Sequence, residues 1–108
     1  MAFAPDGAFY VSDTDNARIQ VFSGVGNWVA TLSQPMKEPR GLVVGRQGVL
    51  FVADAGGAVH AFADGGRRYA VLEWPDAQPI DVAVHGETLW VLTREPAQLV
   101  RVRIVRGD

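Results

Sequence analysis

Asp13 and Arg18 flank a polar turn, five residues apart, close enough for a carboxylate and a guanidinium to meet. Such a pair can present charge to a ligand. It can also fix the turn, the carboxylate accepting backbone N–H bonds while the arginine ties the hairpin together, and this second reading is the expectation. Asp54 closes a matching phrase further on but has no arginine at the same spacing, so a function shared by both phrases cannot rest on the pair. Asp13, Asp15 and Asn16 together offer the hard oxygen ligands that Ca²⁺ prefers, yet no glutamate follows at the spacing of a twelve-residue calcium loop. His60 stands alone in an apolar stretch and His85 in a turn; both are expected as surface or partly buried side chains, not as ligands or catalysts. There is no cysteine, which excludes disulfides, thiolate metal sites and cysteine catalysis. Gly24-Val25-Gly26 and Gly65-Gly66 lack the Lys-Ser/Thr ending of a phosphate loop and read as hairpin turns. The residues therefore predict no catalytic set, no metal site and no cofactor.

The elements that position these residues repeat. Phe9-Tyr10-Val11-Ser12-Asp13, Leu50-Phe51-Val52-Ala53-Asp54 and Leu89-Trp90-Val91-Leu92-Thr93 carry one pattern, their aromatics spaced by 41 and 39 residues. Before each lies a short apolar strand, Met1–Phe3, Leu42–Val44 or Val82–Val84, and a turn built on Gly7, Gly48 or Gly86. After each comes a third strand, Arg18–Phe22, Ala58–Phe62 or Leu99–Val102. The first two repeats add a fourth, Trp28–Leu32 and Tyr69–Leu72. No useful window has a helical period. An all-strand repeat near forty residues predicts an all-β fold of antiparallel four-stranded propeller blades.

On this reading the chain holds about two and three-quarter blades: 1–38, 39–78 and an incomplete 79–105. Three blades do not close a ring, so the expected partner is a second copy, forming a homodimer, or the rest of a longer propeller chain. The connection Lys37-Glu38-Pro39-Arg40 joins one blade's outer strand to the next blade's inner strand, at the face where the channel opens. Gln78-Pro79-Ile80-Asp81 is its counterpart, and the turns at Asp15-Asn16 and Arg94-Glu95 open onto the same face. Arg40, Asp81, Asp15 and Arg94 are accordingly the candidate binding residues. Trp90 aligns with Tyr10 and Phe51 and is expected in the core; Trp28 and Trp74 lie at or near outer strands, where an interface role is open.

The stretch from Ala4 to Phe22, with Asp6-Gly7, Tyr10-Val11-Ser12-Asp13, Asn16 and Arg18-Ile19-Gln20-Val21-Phe22, resembles an NHL repeat. Pro39-Arg40-Gly41-Leu42 resembles the opening of the next one. The second repeat keeps Phe51-Val52-Ala53-Asp54 and Phe62 but lacks the asparagine and the arginine, and the third has Thr93 in place of the aspartate. The resemblance implies a β-propeller, usually of six blades.

Three functions then compete. The first, and the expectation, is a binding scaffold that presents its channel-face loops to a protein or small ligand. The alternative, implied by similar propellers, is a fragment of a metal-dependent lactonase or an amidating lyase, but no histidine falls on the predicted inner strands. The third is RNA binding, which the net charge of −2 and the scattered ten basic residues oppose. No nucleic acid or membrane partner is expected: no apolar run reaches the roughly 18 residues of a spanning helix, and no signal-peptide pattern opens the chain.

Overall fold

The computed structural model describes residues 1–104. It is all-β: eleven strands and two short 3₁₀ turns, at Thr14–Asn16 and Asp64–Gly66. Strands β1 (Ala2–Phe3), β2 (Phe9–Asp13), β3 (Arg18–Phe22) and β4 (Trp28–Leu32) form the first antiparallel sheet, in chain order. The second holds β5 (Pro39–Val44), β6 (Leu50–Asp54), β7 (Ala58–Ala63) and β8 (Arg68–Glu73), and the third β9 (Gln78–His85), β10 (Thr88–Arg94) and β11 (Gln98–Arg103). Every expected strand is present. β5 and β9 begin three or four residues earlier than expected, at Pro39 and Gln78, because each strand runs on to pair with the end of its neighbour, Pro39 opposite Asp54 and Gln78 opposite Arg94. The expected end of the third repeat, residue 105, lies outside the described residues.

The pleat decides the packing, since alternate side chains of a strand face opposite sides. Leu50 and Val52 of β6, with Phe62 of β7, turn toward the first sheet and bury against Ile19, Met36 and Leu42. Phe51 and Ala53, with Val59, turn the other way and bury against Val82, Leu89 and Val91 of the third sheet. All five residues of β6 are buried, its first four as an apolar run covered on both faces requires, and Asp54 at its end. The same phrase in β2 is only half-buried throughout, because the first sheet has a neighbour on one side alone. Its other face carries Phe3, Phe9 and Phe22 in a row, Phe9 and Phe22 stacked with centroids 5.3 Å apart, and Trp28 beside them 61% exposed.

Trp90 departs from expectation. It matches Phe51 in register but is half-exposed, because it points away from the second sheet, and the Arg101 guanidinium lies over its ring at 6.0 Å. Leu92 and Leu99 are exposed on the same sheet.

The strands that begin each sheet converge: β5 touches both β1 and β9. A side chain at Gly41 would strike the Asp81 carboxylate and backbone, so the closeness of β5 and β9 depends on that glycine.

Phe51 is 9% exposed in the core between the second and third sheets. Phe51→Ala removes that packing and is expected to cost about 3–5 kcal/mol, read as a fall in the urea midpoint with the slope unchanged.

Candidate functional site

At the end of the sheets where β5 and β9 begin, Arg40, Asp81 and Arg94 line one open recess of about 540 Å³, together with Thr14, Gly41 and Ile80. Three of the four residues singled out in the sequence thus meet. Asp15 does not; it is exposed on the first 3₁₀ turn, and its neighbour Thr14 reaches the recess instead. Thr14 is fixed there by donating its hydroxyl to the Pro39 carbonyl at 2.7 Å, while Ser12 donates to the Arg40 carbonyl at 2.7 Å. These two bonds fasten β2 and the 3₁₀ turn after it to the start of β5 across the sheet boundary.

The arginines are organised by a residue the sequence reading did not select. Glu38 Oε2 accepts from Arg40 Nε at 2.7 Å and from Arg94 Nη2 at 3.2 Å, joining guanidiniums from the second and third sheets. Arg94 Nε also donates to Gln78 Oε1 at 2.6 Å, and Gln78 Nε2 donates to Glu95 Oε2 at 3.0 Å. The Val82 N–H donates to Asp81 Oδ1 at 2.9 Å, holding that carboxylate against Gly41. Both arginine side chains are near half-exposed, so these ion pairs orient more than they stabilise. The remaining guanidinium N–H groups can grip an anionic group in planar, two-pronged fashion, and Asp81 opposite can accept from a donor. The signal for Glu38 was present in Lys37-Glu38-Pro39-Arg40; its pairing with Arg94, fifty-six positions away, needs the folded chain.

The aspartates that close β2 and β6 lock their turns, each in its own way. Asp13 accepts from Arg18 Nε at 2.8 Å and from Asn16 Nδ2 at 2.9 Å. Those bonds, Arg18 first, hold its carboxyl below the usual range. Both oxygens are engaged by side chains: Arg18 ties the hairpin as expected, but the expected backbone N–H donors to Asp13 are absent among the described residues, and Asn16 stands in for them. Asp54 has Ala58 where Asp13 has Arg18. His60, two residues on, takes the partnership: its Nε2 lies 2.8 Å from Asp54 Oδ2, and its Nδ1 lies 2.7 Å from the Tyr69 hydroxyl. His60 is 1% exposed, where a surface or partly buried side chain was expected. Asp54 also accepts from the backbone N–H groups of Lys37, Glu38 and Gly56 at 2.8–3.0 Å. Burial opposes its charge, but the bond from His60 and the three from the backbone outweigh burial and hold its carboxyl below the ordinary value. In the third sheet Thr93, 1% exposed, donates its hydroxyl to the Pro96 carbonyl at 2.9 Å.

Because folding lowers the Asp54 pKa, its charge stabilises the fold above the unfolded value, about 3.9, and that contribution is lost as pH falls through the lower folded value. Asp54→Asn keeps the shape and removes the charge. It is expected to lower the urea midpoint at neutral pH by the equivalent of about 1–3 kcal/mol, and to flatten the loss of stability below about pH 4 that the unaltered chain shows. An acid limb of unchanged steepness in the variant refutes the assignment.

No curated protein matches the chain. The NHL repeat family model matches residues 1–22. That stretch spans β1 to β3 and contains the Asp13–Arg18 lock with its asparagine, so the likeness to an NHL repeat covers the first three strands of the first sheet.

Proposed function

We propose that the chain is part of an NHL-type β-propeller, with blades at 1–38, 39–78 and 79–105, and that it serves as an interaction scaffold whose binding surface is the recess of Arg40, Asp81 and Arg94. The observation that carries this reading is the convergence of those three side chains, from β5, β9 and β10, on one recess beside the inner strands. The repeat match supports the scaffold. The two guanidiniums and the facing carboxylate support a ligand that is itself polar and charged, such as a loop or terminus of another protein.

The test is a selection of displayed random peptides on the purified chain, with binders mapped by amide chemical shifts. Binders are expected to perturb Arg40, Gly41, Asp81 and Arg94, and Arg40→Glu is expected to weaken them at least about tenfold, or 1.4 kcal/mol. Since exposed pairs of this kind contribute about 0–1 kcal/mol, its melting temperature should stay close to that of the unaltered chain. Binders that map elsewhere and ignore Arg40→Glu would defeat the reading.

The open faces of the outer sheets belong to the same proposal. The second sheet's counterpart of the Phe3, Phe9, Phe22 and Trp28 face is covered by the first sheet. Another sheet of the same repeat, from a second copy or a longer chain, is the cover that fits. Exposed aromatic faces of this kind drive association. Light scattering at micromolar concentration is expected to show self-association that Trp28→Glu abolishes; a soluble monomer with that face bare refutes it.

A further inference from the structure

We propose that Tyr69 is a base-activated phenol, a site that accepts an acyl group from an activated ester, with His60 as the general base and Asp54 as the residue that positions it. Position by position, the first sheet builds the same place without proton chemistry. Gln20 stands opposite Val11 as His60 stands opposite Val52, and Trp28 opposite Phe22 as Tyr69 opposite Phe62. There the Gln20 carbonyl simply accepts from Trp28 Nε1 at 2.9 Å and from Thr31 Oγ1 at 2.8 Å. In the first sheet an amide and an indole fill these places while Arg18 supplies the aspartate's donor; here one imidazole supplies that donor to Asp54 and turns its second nitrogen to a phenol, a pairing the first sheet does without.

The hydrogen bonds assign the protons. Asp54 is ionised and accepts from four donors, so His60 Nε2 carries hydrogen toward it. In the neutral ring Nδ1 is then the acceptor for the Tyr69 O–H, 2.7 Å away. Burial, and then the charges of Glu73 and Asp54, push the phenol pKa up, which keeps the proton on oxygen until a base removes it. A carboxylate, an imidazole and a hydroxyl in series is the arrangement that activates a nucleophile by taking its proton as the new bond forms. The hydroxyl also has somewhere to receive a reagent. Tyr69 and His60 line a groove of about 380 Å³, walled by Pro35, Gly57 and Val71 with Lys37 and Glu73. Among the described residues Lys37 has no carboxylate within ion-pair distance, which leaves its ammonium free to face a developing oxyanion. In the proposed step Tyr69 Oη attacks the ester carbonyl and a carbon–oxygen bond forms. The phenol proton passes to His60 Nδ1, the bond to the leaving phenolate breaks, and that phenolate or water takes the proton from the imidazolium.

The chain holds one other tyrosine, Tyr10, which has no imidazole partner and serves as an internal reference. The experiment treats the folded chain with p-nitrophenyl acetate near neutral pH and follows acetylation at each tyrosine by peptide mass spectrometry, with N-acetyl-tyrosine amide in parallel. Hydroxylamine reverses the aryl ester and leaves lysine amides intact. Proton transfer by a positioned base contributes about 10²–10⁴-fold, so Tyr69 is expected to react at least about tenfold faster than Tyr10 and the free amide. His60→Gln, which restores the first sheet's side chain, is expected to abolish the excess. Reaction of Tyr69 at or below the rate of the free amide in the unaltered chain overturns the proposal whatever the variant does. An excess that survives in folded His60→Gln, folding being checked by circular dichroism, overturns the role of the base.

Discussion

The fold rests on the middle sheet being gripped from both sides. Leu50, Val52 and Phe62 are covered by the first sheet, and Phe51, Ala53 and Val59 by the third. A single strand thereby contributes to two cores at once, and neither outer sheet has an equivalent strand. Removing apolar area from water is the main favourable contribution to such packing, so the outer sheets stay attached chiefly because β6 is apolar on both of its faces.

Once the three sheets are stacked, polar groups set the fine geometry at one end. Ser12 of β2 and Thr14 of the turn after it reach to the start of β5; Asp54 gathers the backbone of the incoming connection; Arg94 reaches back to Glu38. Among the described residues no buried side-chain nitrogen or oxygen lacks a partner. A polar group buried without one costs free energy that a small domain can ill tolerate, and here Asp54 and Thr93 do their bonding at strand ends, where turns must be held in place, while His60 reaches Asp54 from the middle of β7. The recess forms among these fasteners, so its walls are as well placed as the strands that carry them.

Much of this was legible in the residues because it depends on period. The strands, their order and the gathering of Arg40, Asp81 and Arg94 follow from aligning three phrases forty residues apart, since equivalent positions in equivalent sheets land on the same end. What did not follow was anything decided by the absence of a neighbour or by a partner distant in the chain. Trp90 aligns with Phe51 yet stays half-exposed, because alignment reports register and not what covers a face. Asp15 aligns with the recess, but the tight 3₁₀ turn rotates it outward and leaves Thr14 in its place. His60 looked isolated because its partners are six and nine residues away on other strands; the missing arginine at Ala58 was the one visible sign that Asp54 needed a different donor.

Glu38 lends the recess a mechanical character. One carboxylate oxygen holds a guanidinium of the second sheet and another of the third, at the edge of a boundary whose core is apolar. Exposed pairs of this kind orient side chains and do not bolt sheets together, so a change in how β5 lies against β9 and β10 would show first as a change in the spacing of Arg40 and Arg94. The recess is in that sense a strain gauge between neighbouring sheets, reading at its surface the alignment of the layers beneath.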